Sequence, residues 1–167
     1  FAGVSAGASV YNGQADQQMV AASIPVGLWD FHGTAQWRGF ELKALYAQGR
    51  IGNADVLNIH QGNAAGKNAS VGSHLFGGYF EAAFDVLSLG PASGQYLAPF
   101  LRYERYDTQR KVPDGWLKDG SNSRLEWTFG LSYKPIPQAV AKFDHQILKN
   151  QGLTGVGQTN LAVGYIF

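Results

Sequence analysis

Cysteine is absent from this chain of 167 residues, and methionine occurs once. Without cysteine the chain is not a secreted domain stapled by disulfides. Charged residues make up only 15% of the chain and nearly cancel, leaving a net charge of +1. This balance gives no electrostatic footprint for nucleic acid. With 13% aromatic residues, the chain is also unlike a disordered tail.

The sequence also lacks any apolar run of the length that a membrane-spanning helix requires, which is about 18 residues or more. No basic segment followed by an apolar segment opens the chain, so no signal peptide is visible. We expect either that a targeting segment has been removed or that the chain is a piece of a longer protein. Residues 1–167 are expected to form a single domain or the C-terminal half of one.

What the sequence does contain is an alternation of apolar and polar residues with a period of two. Leu125, Trp127 and Phe129 alternate with Glu126 and Thr128, for example. This period predicts β-strands with one apolar face. It recurs in eight segments, at residues 2–12, 29–38, 40–47, 76–86, 97–105, 124–134, 139–147 and 160–167. Over these segments, the apolar face carries a single charge, at Arg105.

The connections between these segments alternate between long and short. Arg38-Gly39 is typical of a two-residue hairpin turn, which would pair Trp37 with Phe40 on one face. The predicted fold is therefore all-β, with antiparallel strands in up-and-down order. Long loops are expected at one end of the sheet, at residues 13–24, 51–73, 108–123 and 148–158.

The apolar face could meet either a protein core or lipid. A soluble sandwich or barrel turns this face inward, whereas a transmembrane barrel turns it outward. Small residues such as Gly33 and Ala35 lie beside aromatic residues on the apolar face, and they would leave voids in a close-packed core. Aromatic residues near both strand ends, such as Trp37 and Tyr103, match the belts found at membrane interfaces. A transmembrane barrel is therefore favoured.

A resemblance supports this interpretation. The alternating residues Leu161, Val163, Tyr165 and Phe167 resemble the C-terminal strand of bacterial outer-membrane barrels, which the assembly machinery recognises. Residues 97–105, 130–135 and 37–47 are similar to segments of porins of the phosphate-selective type and their relatives. The resemblance implies a barrel of about 16 strands, of which this chain would form the C-terminal half. It also implies a homotrimer in the bacterial outer membrane, in contact with lipid and lipopolysaccharide. The sequence shows no ladder of basic residues that would define selectivity for phosphate.

The predicted function is a porin-like channel for passive diffusion of small hydrophilic solutes. The candidate site is the set of inward-facing charged and polar residues, which would either tune the passage of solutes or brace the barrel through pairs such as Arg102 with Glu126. The predicted pore-lining residues are Asp30, His32, Arg38, Glu41, Lys43, Glu81, Asp85, Arg102, Glu104, Arg124, Glu126, Lys142 and Asp144.

Two alternatives remain. A complete eight-stranded barrel has an interior just wide enough for side chains, so it would act as an anchor, adhesin or receptor without an open pore. A soluble β-barrel would bind a lipid or a similar ligand. The histidines lack the serine partners of a hydrolase, so we expect no enzyme. Asp114-Gly115 and Asp119-Gly120 are typical of turns, and we expect no metal or cofactor.

Overall fold

The computed structural model describes residues 2–17, 19–20, 22–91 and 94–166. Strands account for most of these residues, as the alternation predicts. The strands are β1 (Ala2–Gln14), β2 (Pro25–Trp37), β3 (Phe40–Ile51), β4 (His74–Phe84), β5 (Tyr96–Lys111), β6 (Ser123–Ile136), β7 (Ala139–Asn150) and β8 (Gly157–Tyr165). One α-helix, α1 (Ala54–His60), and two short 3₁₀ segments, Val86–Leu89 and Gly120–Asn122, lie in the connections.

All eight strands belong to one sheet, in the order β1-β2-β3-β4-β5-β6-β7-β8. Every neighbouring pair is antiparallel, which confirms the predicted up-and-down order. The sheet is not closed, because the pairing among the described residues does not join β1 to β8. A complete eight-stranded barrel would require that pairing, so this alternative differs from the observed sheet.

The register separates the two faces that the alternation predicts. Leu101 lies opposite Phe129, and Phe129 lies opposite His145, along one row of the sheet. Arg102, in the neighbouring row, lies opposite Glu81 and Thr128. Because successive side chains point to opposite sides of a strand, these rows lie on opposite faces. We call them the apolar face and the polar face.

The short turn at Arg38-Gly39 is confirmed. Both residues have positive φ, 47° for Arg38 and 87° for Gly39, which is the pattern of a type I′ turn. This turn pairs Trp37 with Phe40, and their rings stack with centroids 6.5 Å apart. Gly39 meets the turn's need for left-handed backbone without strain, whereas Arg38 carries some strain.

The long connections at the other end of the sheet are folded. Residues 52–73 join β3 to β4, and residues 112–122 join β5 to β6. They are held together by backbone hydrogen bonds, such as that from the Gly66 amide to the Gly115 carbonyl, at 2.7 Å. We call these two connections the loop cap. Helix α1 lies within it, where the sequence predicts only an irregular loop.

The buried apolar residues fall mainly outside the middle of the sheet. Ala54, Ala69 and Trp116 of the loop cap are each exposed by 8% or less, and Ala98 and Phe100 are buried on the polar face. None of the helices among the described residues is long and apolar enough to span a membrane.

Candidate functional site

A continuous row of polar side chains crosses the polar face and takes one residue from each strand. The register fixes it, since each member lies directly opposite the next. The row consists of Ser5, Thr34, Lys43, Glu81, Arg102, Thr128, Gln146 and Gln158. Its charges occupy the three central strands β3 to β5, and its flanks are neutral. The row therefore places opposite charges side by side across the middle of the face.

The central charges form a chain of ion pairs. The Lys43 Nζ lies 2.9 Å from the Glu81 Oε1, and the Arg102 Nη1 lies 3.9 Å from the Glu81 Oε2. The Arg102 Nε and Nη2 both donate to the Glu104 Oε2, at 3.0 and 2.7 Å. The guanidinium also lies 3.8 Å from the centroid of the Tyr79 ring. Arg102 is thus held on three sides by two carboxylates and an aromatic ring.

The predicted pairing of Arg102 with Glu126 is wrong. Arg102 faces Glu81 on β4 and reaches Glu104 two residues along its own strand, so its donors are already engaged. Glu126 instead accepts a hydrogen bond from the Thr128 hydroxyl, at 3.2 Å. Because Glu104 and Glu126 lie directly opposite each other, separate partners reduce the repulsion between them.

A second cluster surrounds Asp144 on β7. Its carboxylate lies 3.6 Å from the Lys142 Nζ and accepts a hydrogen bond from the Asn160 amide, at 2.8 Å. Lys142 also lies over the Phe100 ring, 4.5 Å from its centroid. Asp144 is only 7% exposed, and these contacts compensate for the removal of its charge from water.

A third cluster lies on β2 near the edge of the sheet. The Asp30 carboxylate contacts the His32 Nδ1 at 2.7 Å and accepts a short hydrogen bond from the Ser9 hydroxyl on β1. Asp30 and His32 thus project from the polar face, as the alternation predicts. This cluster lies away from the ion pairs that Arg102 forms on β4 and β5. The polar face therefore carries several separate clusters of charged and polar side chains.

A pocket of about 270 Å³ lies on the polar face near its short-turn end. Glu41, Glu81 and Tyr96 line it together with three lysines, Lys43, Lys134 and Lys142. The Lys134 Nζ lies 4.9 Å from the centroid of the Tyr96 ring. Both signs of charge therefore face one concave surface that a small polar molecule could contact.

Three predicted pore-lining residues lie at the margins of this face. Arg38 lies in the hairpin turn, with its guanidinium 5.1 Å from the centroid of the Trp37 ring. Asp85 follows the end of β4, and its carboxylate accepts hydrogen bonds from the Leu87 and Leu97 amides, each at 3.1 Å. Arg124, near the loop end of β6, donates to the Ser121 carbonyl at 3.0 Å.

The apolar face is the more exposed face of the sheet. Val4 is 83% exposed, Phe31 is 62% exposed and Phe129 is 46% exposed. The predicted membrane-facing residues Leu161, Val163 and Tyr165 are 78%, 81% and 59% exposed. Phe167, the last residue of the predicted assembly signal, lies outside the described residues. An exposed apolar surface of this extent marks a contact with lipid or with another protein.

Sequence reasoning missed the polar residues that hold the loop cap together. Asn58 has no exposed surface; its amide donates to the Ala54 and Val71 carbonyls, and its side-chain oxygen accepts from the Ser70 and Val71 amides. Gln109 is 1% exposed and donates to the Ala69 carbonyl at 2.6 Å. No periodic signal marks such residues, because their partners lie in distant, irregular segments.

The loop cap also contains a perturbed carboxyl group. Hydrogen bonds from the backbone and hydroxyl of Ser121 lower the pKa of Asp119 from its ordinary value of 3.8. The Ser121 amide donates to the Asp119 Oδ1 at 2.9 Å, so that Asp119 caps the 3₁₀ segment Gly120–Asn122. Within the described ranges, no three His, Asp or Glu side chains form a group suited to a metal ion.

The fold and the two faces define a class: an all-β, antiparallel up-and-down sheet that is polar on one side and apolar on the other. No protein-family model matches the chain, and no solved structure matches it. The chain is similar to a protein from Aquifex aeolicus (strain VF5) that is described as "Uncharacterized protein", with 26% identity over 113 residues. That alignment covers 66% of this chain and 26% of the relative, so the chain spans about a quarter of the relative's length.

Proposed function

We propose that this chain forms part of the wall of an outer-membrane porin, through which small hydrophilic solutes diffuse passively. The observation that carries the proposal is the inverted arrangement of the sheet. Its large apolar side chains are exposed, as with Val163 at 81%, while its charges are paired on the other face. In a transmembrane barrel, lipid covers the first face and water fills the space beside the second.

The exposed apolar face argues against the soluble alternative. A soluble ligand-binding barrel would bury residues such as Phe31 and Phe129 inside, but they are 62% and 46% exposed. The strands of 9 to 16 residues are long enough to cross a bilayer at a tilt, for which about 9–11 residues suffice. Lipid requires no complementary packing, so Gly33 and Ala35 carry no cavity cost on that face.

The two edges of the sheet support a larger barrel. An unpaired edge strand exposes a row of amide and carbonyl groups, which lipid cannot satisfy. The described residues of β1 and β8 do not pair with each other, so in lipid each of these edges would need another strand. Further strands would close a wall of about 16, wide enough for a water-filled lumen. The similarity to a relative that is several times longer than the aligned segment fits this proposal.

The proposed mechanism is diffusion along the polar face. Lys43, Glu81, Arg102 and Glu104 place alternating charges across the wall, so a solute would pass through a transverse field rather than a field of one sign. Such a wall favours small polar and zwitterionic solutes and gives weak ion selectivity. The homotrimer, recognition by the assembly machinery and contact with lipopolysaccharide are parts of the proposal that follow from the resemblance.

The test is conductance of the purified full-length protein in a planar bilayer. We expect discrete steps of a wide, water-filled pore. A Lys43→Glu variant should shift permeability toward cations, whereas Lys67→Glu, in the loop cap, should change it much less. Sealed membranes at all voltages would contradict the channel, and a protein that stays soluble without detergent would contradict the membrane assignment.

A further inference from the structure

Two exposed cations interrupt the apolar face near its loop end. Arg105 on β5 and Lys149 on β7 lie in one register row, with Leu125 of β6 directly between them. Their positions on the strands place both on the apolar face. Since neighbouring strands are about 4.8 Å apart, the two backbones are separated by roughly 10 Å. Both side chains are long enough to approach one group lying over Leu125.

These cations differ from those of the polar face in having no partner. Lys43, Arg102 and Lys142 are all paired with carboxylates. Arg105 and Lys149 take part in none of the ion pairs, side-chain hydrogen bonds or ring contacts among the described residues, and both are exposed. A charge on a lipid-facing surface is costly in hydrocarbon, so it belongs at an interface with anionic groups.

Among the residues that the structure describes, charge on the apolar face is confined to this end. Arg50 of β3 is also exposed, further toward the loops, and lies opposite His74, which in turn lies opposite Lys111. The carboxylate at this level, Asp107, is 6% exposed and is neutralised by the Lys118 Nζ, at 3.1 Å.

At the short-turn end, the outward positions of the strands carry aromatic, aliphatic or small side chains instead. They include Trp37, Phe40, Leu97, Tyr133 and Val163. The apolar face therefore has one cationic end and one uncharged end.

Aromatic residues flank the cationic pair on the side of the sheet's middle. Tyr103 and Trp127 lie opposite each other, and their rings pack with centroids 4.8 Å apart. Amphipathic rings are favoured at the level of lipid head groups. The row of Arg105 and Lys149 thus lies just beyond an aromatic pair, where phosphate groups of a bilayer leaflet would be.

From these observations we infer that Arg105 and Lys149 form a binding site for the phosphate-bearing head group of an anionic lipid. The lipid would lie in the leaflet next to the loop cap, with its acyl chains along Trp127, Phe129 and their neighbours. This inference rests on the proposed membrane location, and it adds a specific lipid site and the leaflet that it contacts. The match is one of charge and position: two free cations above an apolar surface.

The test is retention of phosphatidylglycerol by the detergent-solubilised full-length protein, measured by native mass spectrometry with phosphatidylcholine as the uncharged reference. Arg105→Gln and Lys149→Gln should each weaken retention about fivefold, and together about 25-fold, since each cation near an anionic surface contributes about one such factor. Arg124→Gln is the matched control, because Arg124 lies at nearly the same height on the polar face. It should retain phosphatidylglycerol like the wild type.

Several results would overturn the site. These are wild-type retention by the double variant, an equal loss in Arg124→Gln, displacement of the lipid by inorganic phosphate, or lipid-free dimers that form through this face. If the glutamine variants do not assemble, Arg105→Lys and Lys149→Arg keep the charges. These variants should retain phosphatidylglycerol nearly as well as the wild type, and the retention should fall when salt is added. Retention of the lipid that does not respond to salt would also overturn the site.

The two proposals fail differently. Normal conductance with unchanged phosphatidylglycerol retention in the double variant would remove the lipid site and leave the porin. A protein that does not enter bilayers would remove both. Retention by the assembled protein that depends on both cations, without any conductance, would keep the lipid site and remove the channel.

Discussion

In the sheet, Val163 is 81% exposed, whereas in the loop cap Asn58 has no exposed surface at all. The loop cap therefore buries polar side chains, whereas the sheet leaves large apolar side chains exposed. The cap hides polar groups that satisfy one another, as a water-soluble protein does. The sheet leaves apolar groups uncovered and pairs its charges on the other side. The difference fits the proposed membrane location, in which water would surround the cap and lipid would cover the apolar face.

The largest expected effect comes from placing a charge in the middle of the apolar face. Phe129→Arg should destabilise the assembled protein by ~2–4 kcal/mol or block assembly, because the charge would lie in hydrocarbon. In water, the same change at a side chain that is 46% exposed would cost little. Gln158→Arg on the polar face is the control and should be tolerated. Unfolding from lipid vesicles by denaturant measures both, and equal stability of the two variants would contradict the comparison.

The next effect is expected in the cap. Asn58→Leu removes four hydrogen bonds and leaves buried carbonyl and amide groups without partners, at a cost of about 2–3 kcal/mol to the cap. Amide exchange should become faster across residues 52–73 but not in β6 and β7. Asn63→Ala, which removes one exposed hydrogen bond to Ser70, should change exchange far less. Loss of the whole sheet in Asn58→Leu would show that cap and sheet are one cooperative unit.

A smaller effect is expected at the short turn between β2 and β3. Gly39→Ala places a side chain at a φ of 87° and should cost about 1 kcal/mol. Arg38→Asn, at a φ of 47°, should be close to neutral, since asparagine tolerates this conformation better than most residues. Stability in lipid vesicles and the rate of assembly measure the difference. If Gly39→Ala had no effect, the turn would not be setting the register of Trp37 with Phe40.

The smallest effect is a pH dependence confined to the cap. The pKa of Asp119 is lowered in the folded state, so its contribution is present above the ordinary value of 3.8 and is lost as pH falls below it. Protection of the Ser121 amide, measured as its exchange rate relative to the intrinsic rate at each pH, should therefore fall only in acid. Asp119→Asn keeps an acceptor for the amide but cannot titrate, so its exchange should lack this acid step. An acid step that persists in Asp119→Asn would assign it to another group.

The sequence predicts the sheet well because its signal is local. Alternation and the Arg38-Gly39 turn are visible within a few residues, and they give the strand order and the pairing of Trp37 with Phe40. The predicted end of β5 at Arg105 was too early, since the strand continues to Lys111. Beyond Arg105, β5 continues beneath the loop cap. Here the buried polar residues Asp107 and Gln109 stand at positions where the alternation would place apolar residues, so the alternation disappears.

The candidate site was predicted in its composition but not in its pairing. Asp30, Lys43, Glu81 and Asp144 lie on the polar face as the alternation predicts. The partners of Arg102 depend on which strand lies opposite at each level, and this requires the register of β4 with β5. The structure of the cap could not be predicted from the sequence. Asn58 donates to the carbonyl of Val71 and Gln109 to that of Ala69, and nothing local in the sequence indicates these partners.

The strand order has a consequence for how the protein acquires its structure. Since each strand pairs with the one that precedes it in the chain, the contacts form between near neighbours, and each closure requires only a short segment. The longest excursion between paired strands is residues 52–73, which contain helix α1 and join residues 112–122 in the loop cap. Assembly can therefore proceed hairpin by hairpin, with the growing edge as the template for the next strand. Because every pairing is between successive strands, an added hairpin would extend such a sheet without altering the pairings already present.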